Sequence, residues 1–160
     1  MKRLALVLLL AALGLGLHAQ VGLYGIFYDA TLAEADSILN AEGFAVGNLN
    51  TGNLVSYYPL NNPKTDVVTL VMNPETKTVA GWLVQYNAAN TEAEDNYVFF
   101  QLNKMHNDWF KEYEETDQFV WFLNDTRTVH LVYRDNGAMT VLYYDSNYDP
   151  LFGTGDKKKK

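Results

Sequence analysis

Residues 65–86, TDVVTLVMNPETKTVAGWLVQY, decide how the rest of the chain reads. In an extended backbone successive side chains point to opposite faces. Val68, Leu70 and Met72 therefore share one face, and Val67, Thr69 and Val71 the other. Asn73-Pro74 begins a turn, because proline presets φ for a turn's second position. The return run places Ala80, Trp82, Val84 and Tyr86 on a single face. The stretch predicts a β-hairpin. Residues 116–134, TDQFVWFLNDTRTVHLVYR, repeat the pattern: both open with Thr-Asp, run through apolar and aromatic residues, and turn at an asparagine, Asn73 or Asn124.

The residues around each hairpin also match. Thr31-Leu-Ala-Glu34 precedes the first and Thr91-Glu-Ala-Glu94 the second. In this pattern the threonine hydroxyl accepts from the amide three residues on, while the glutamate reaches back to the threonine amide. Leu32, Ala35, Ile38 and Leu39 recur at helical spacing, and Gly43 supplies a left-handed stop, so a helix is predicted over Leu32–Ala41. Tyr97, Val98, Leu102 and Met105 predict a second helix running on towards Trp109 or Phe110. Further strands are expected at 44–50, 54–58, 118–123, 128–134 and 139–144, with Asp135-Asn136-Gly137 as a tight turn. The glycine-spaced residues 20–30 read as an extended lead-in or edge strand whose Leu23, Ile26 and Phe27 can enter a core, and the acidic run 112–115 as exposed. From Asp145 the chain is expected to fray. The order predicts an α+β fold: two helix-plus-antiparallel-meander repeats, about 31–86 and 91–144, forming a sheet with helices on one face.

A short capped helix closed by glycine, then a meander whose hairpin carries an Asx-rich turn, resembles the bacterial envelope domains of the SmpA/OmlA type. Two in tandem resemble the beta-lactamase-inhibitor-protein architecture. The resemblance spans Thr31–Tyr144 in element order. It implies a non-catalytic exported module that binds protein. The disulfides and lipid-anchoring cysteine of such proteins have no counterpart in this chain, which contains no cysteine.

Residues 1–19 read as a secretory signal peptide, with basic Lys2 and Arg3, an apolar run from Leu4 to Leu17, and small Ala19 at the cleavage edge. Cleavage before Gln20 would leave a periplasmic or secreted chain. It would hold one domain, 20–150, and a flexible lysine-rich tail, 151–160, and no later segment reads as a membrane span. The chain carries 19 acidic and 12 basic side chains, a net charge of −7. Lys157–Lys160 are four of those basic groups, so the body is more acidic still. Such a surface repels nucleic-acid phosphates.

No motif for catalysis, a cofactor or a metal stands out. Ser37, Ser56 and Ser146 lie outside any nucleophile-elbow pattern, and His106 and His130 lack a second histidine at metal-ligand spacing. Asp145, Asn147, Asp149 and Asp156 echo a calcium loop, but Pro150 stands where such a loop requires glycine. Glu92, Glu94 and Asp95, and then Glu112, Glu114 and Glu115, fall at a helix start and a loop, where acids are expected without chemistry. The aromatic residues carry more information. Adjacent pairs such as Tyr57-Tyr58 and Tyr143-Tyr144 must send one ring to each face of a strand. Trp121, His130, Val132, Leu142 and Tyr144, or their alternates in each strand, are accordingly expected on the face that the helices leave uncovered, as an aromatic, acid-rimmed surface for a protein or, alternatively, a glycan, with a hydrolase of unrecognised site as the third reading.

Overall fold

The computed structural model describes residues 20–48, 50–107 and 110–152. The expected signal peptide and nearly all of the lysine-rich tail lie outside them, as does Asp156. The described chain is an α+β fold built on one eight-stranded antiparallel sheet. In chain order the elements are α1 (Leu32–Ala41), β1 (Phe44–Val46), β2 (Leu54–Pro59), β3 (Thr65–Met72), β4 (Val79–Tyr86), α2 (Glu92–Met105), β5 (Phe110–Tyr113), β6 (Gln118–Phe122), β7 (Arg127–Tyr133) and β8 (Met139–Asp145). The spatial order is β1-β2-β3-β4-β8-β7-β6-β5. Each half contributes a helix and then four strands, and the last strands of the halves, β4 and β8, pair at the centre of the sheet.

Local chemistry accounts for the ends of these elements. Both helices start with a complete capping box. The Thr31 amide donates to Glu34 Oε2 at 2.8 Å and the Thr91 amide to Glu94 Oε2 at 2.8 Å, while each threonine hydroxyl accepts from the glutamate amide. Those bonds favour the charged carboxylates, and both glutamates titrate below their ordinary range. The two hairpin turns are also alike. Asn73 Oδ1 accepts from the amides of Glu75 and Thr76, and Asn124 Oδ1 from those of Thr126 and Arg127. These side chains stand in for backbone acceptors and fix the loop geometry.

The helices cover one face of the sheet. Its buried side chains include Leu70, Trp82, Val84, Trp121, Val129, Leu131, Val141 and Tyr143, packed with Ala35 and Leu39 of α1 and Val98 and Leu102 of α2. At the centre, Trp82 and Tyr143 stack with ring centroids 4.1 Å apart. They sit on paired residues of β4 and β8, so this contact fastens the two halves together.

Three expectations need correction. Residues 20–30 are not an edge strand: they turn through a single 3-10 turn at Leu23–Gly25 and bury Leu23 and Ile26 on the helix-covered side. Gly22 lies so close to the Trp82–Tyr143 stack that a Cβ there would come within 2.3 Å of Tyr143. Second, α2 ends at Met105, and Phe110–Tyr113 forms an edge strand on β6. This strand is short and carries Lys111 and Glu112, charges suited to an exposed sheet edge. Third, the chain does not fray at Asp145. Asp145 is buried at the end of β8, and Ser146–Phe152 forms a 3-10 turn against the sheet. An ion pair holds this end: Arg127 Nε donates to Asp145 Oδ2 at 2.8 Å and Arg127 also pairs with Asp29 at 3.0 Å, its guanidinium 4.2 Å from the centre of the Tyr28 ring.

Candidate functional site

The face of the sheet turned away from the helices follows from strand register. Val120, His130, Leu142, Leu83, Thr69 and Ser56 form one continuous row across six strands. Gln118, Val132, Thr140, Gln85 and Val67 form a second. Thr128 and Tyr144 are paired in a third, with Phe122 opposite Thr128. Alternation adds Lys111 and Tyr113 on β5, opposite Val120 and Gln118.

Among the described residues no aspartate or glutamate occupies a paired position on this face. Asp66, at the bulge that opens β3, stands outside the register. The chain as a whole carries 19 acidic side chains, so the charge is strongly segregated. Lys111 supplies a cation at the β5 edge, 4.5 Å from the centre of the Tyr113 ring.

The structure brings together four of the five residues expected here. His130, Val132, Leu142 and Tyr144 lie on the open face and are partly buried by their neighbours. The fifth does not belong. Trp121 pairs with Val129, faces the helices and is fully buried. Its indole N–H donates to Asn103 Oδ1 of α2 at 2.8 Å, and its ring packs on Phe99 and Phe110. The β6–β7 turn sets Trp121 opposite residue 129 rather than 130, and one residue of register exchanges the two faces.

His130 is fixed from both sides. Gln118 Nε2 meets its Nδ1, the Thr128 hydroxyl lies 2.7 Å from its Nε2, and its ring meets Tyr144 edge-on at 6.0 Å. Burial disfavours the imidazolium, so His130 titrates below the ordinary histidine range. These partners are an amide and a hydroxyl. The arrangement therefore holds a neutral ring in place, and no carboxylate is among these partners to orient it.

The C-terminal 3-10 turn closes one end of the face. The Phe152 ring lies 5.0 Å from that of Tyr144 and against Gly81, where a Cβ would come within 2.5 Å of it. Glycine at this position of a central strand gives Phe152 its seat.

Three further candidates from the sequence, His106, Glu94 and Asp145, have local structural partners. His106 caps the end of α2, with Nε2 3.2 Å from the Tyr143 hydroxyl, and burial lowers its pKa to about 4. Glu94 serves the α2 capping box and pairs with Lys64 at 3.2 Å. Asp145, first in the calcium-like spacing, is engaged by Arg127 and accepts from the Asn147 amide at 3.0 Å. Among the described residues no group of three or more His, Cys, Asp and Glu side chains is placed to hold a metal ion. Among the same residues no helix is long and apolar enough to cross a membrane.

Sequence reading missed Lys111, Tyr113 and Phe122 as members of the face. The Phe-Lys-Glu-Tyr alternation at 110–113 was the available signal, masked by the acidic run that follows it. No protein-family model, curated protein or solved structure matches this chain.

Proposed function

We propose that this chain is an exported, non-catalytic module that binds another protein through the open face of its sheet. The observation that carries the reading is the exclusion of carboxylates from that face in an otherwise acidic chain. Exposed sheet faces usually carry charge for solubility, whereas the centres of protein interfaces are depleted of it and enriched in aromatic residues. Leu142, Leu83 and Val132 supply aliphatic area, and Tyr144, Tyr113 and Phe122 aromatic area. The position of His130, locked between Gln118 and Thr128, favours a preformed surface over an adaptable one. The same aromatics suit stacking on sugars, which keeps the glycan reading as the alternative.

The test uses the full chain as bait on periplasmic or secreted extract, beside Leu142→Glu on the open face and Phe100→Ala on α2. A partner held by the unmodified chain and by Phe100→Ala, and lost with Leu142→Glu, supports the reading. Identical capture by all three proteins overturns it. A glycan array probed with the same proteins separates a protein partner from a carbohydrate one.

A further inference from the structure

On the opposite side of the sheet lies a cleft of about 450 Å³. The N-terminal segment, the end of α1, α2 and the start of β3 enclose it. Its volume falls within the roughly 300–1,000 Å³ of small-molecule sites. The two walls differ in chemistry.

One wall is a set of neutral hydroxyl and amide groups. The Tyr24 hydroxyl lies 2.6 Å from Thr65 Oγ1, and the Asn62 amide reaches the same threonine at 3.5 Å. Tyr86, 5% exposed, brings a second phenol up to Tyr24. The other wall is apolar and includes Val21, Val98 and Met105. At the mouth, Tyr97 is 64% exposed and its hydroxyl accepts from Gln101 Nε2 at 3.2 Å.

The backbone that delivers Tyr24 is unusual. Tyr24 adopts φ 59° and ψ 20°, followed by Gly25 at φ 72°. A left-handed conformation is costly for a bulky side chain and persists where the surroundings impose it. Here it turns the phenol onto Thr65 and Tyr86 while Leu23 goes into the core. Burial raises the pKa of both phenols, so the hydroxyls keep their protons and can each donate and accept.

Charge narrows the occupant. Lys64 is the cation lining the cleft, and it is bridged to Glu94, with Glu42 adding a further carboxylate. A phosphate or carboxylate would meet no uncommitted positive group. Hydroxyl and amide groups of mixed donor and acceptor sense, opposite an apolar wall and below an exposed aromatic ring, complement a polyhydroxylated ring with an apolar C–H face.

We propose that this cleft binds one residue of a neutral saccharide, hydrogen-bonded by Gln101 and by Tyr24, whose phenol the buried Thr65 holds in place, and packed against Met105 and Val98. This site is independent of the open face of the sheet.

The test titrates the full chain, isotope-labelled, with glucose, galactose and N-acetylglucosamine, using the anionic sugars glucuronate and galacturonate as charged controls. Saturable resonance shifts at Tyr24, Thr65 and Gln101 with at least one neutral sugar, and weaker binding of the charged controls, are expected. Gln101→Ala, which alters a surface residue, should weaken that binding about three- to tenfold, as for one lost hydrogen bond. Thr65→Val should weaken it further, and Asn62→Ala replaces that variant if it does not fold. The proposal is overturned if no neutral sugar gives saturable shifts, if the shifts map to the open face of the sheet, if Gln101→Ala binds unchanged, or if the charged controls bind as tightly.

Discussion

The two faces of this sheet come from the same strands and differ in almost everything else. The helix-covered face is built from large fully buried side chains, with Trp82, Trp121 and Tyr143 as its centres. The open face is built from mid-sized, partly exposed residues such as Thr69, Leu83, His130 and Leu142. Both avoid paired carboxylates at their centres, for different reasons. On the inner face an unpaired charge would be buried at high cost. Asp145, the one buried acid among the described residues, is matched by Arg127. On the outer face Val120 and Thr140 are buried but His130, Val132, Leu142 and Tyr144 keep partial solvent access, so charge there would cost less than in the core, and its exclusion is what the proposed binding role rests on.

The contrast is most strongly tested by truncating one aromatic on each face. Trp121→Ala should cost about 3–5 kcal/mol, as for large aromatics removed from a core. Tyr144→Ala should cost under about 1.5 kcal/mol, because its ring touches only His130 and Phe152 among the described aromatic contacts. Urea midpoints at constant m-value read both. Equal losses would abolish the distinction between the faces.

A smaller effect is expected where a single residue serves both. Gly81→Ala should destabilise the chain by about 1–3 kcal/mol, since the new methyl meets the Tyr143 carbonyl on one side and the Phe152 ring on the other. It should also release the 146–152 turn from the open face, seen as faster amide exchange in that segment. Unchanged protection there would mean that Phe152 does not hold the turn in place.

The last prediction concerns the histidines, one associated with each face. His106, behind the core, has its pKa lowered by burial from 6.5 to about 4, and His130, on the open face, is lowered in the same direction. The unfolded chain therefore binds more protons than the folded one below pH 6.5. The histidine contribution to stability is complete above pH 6.5 and is lost as the pH falls towards 4. His106→Gln keeps a polar group near the Tyr143 hydroxyl but does not titrate, so it should flatten the fall in stability between pH 6.5 and 4. An unaltered slope would show that His106 is as solvated in the folded chain as in the unfolded one.

The sequence was a good guide wherever the cause was local. Both capping boxes, the Asn73 and Asn124 turns and the bounds of α1 depend on residues within four positions of one another, and each forms as read. The legible part of the candidate site was the alternation within single strands, which correctly grouped Leu142 with Tyr144 and His130 with Val132. Trp121 was misplaced because alternation within a strand does not say which residue lies opposite in the next one. Residues 110–113 and 146–152 were misread because their order comes from partners distant in the chain, β6 for the first and Gly81 and Tyr144 for the second.

The sequence by itself determined the α+β class, the helices and their caps, the hairpins and the two-face character of the strands. These follow from backbone geometry and short-range hydrogen bonding. Only the tertiary structure decided that β4 and β8 join the halves, that the open face carries no paired carboxylate among the described residues, and that residues 20–30 fold over the helix-covered side to wall a cleft. Each of those rests on strand register or long-range packing. They bring together residues far apart in the chain, and no local pattern records them.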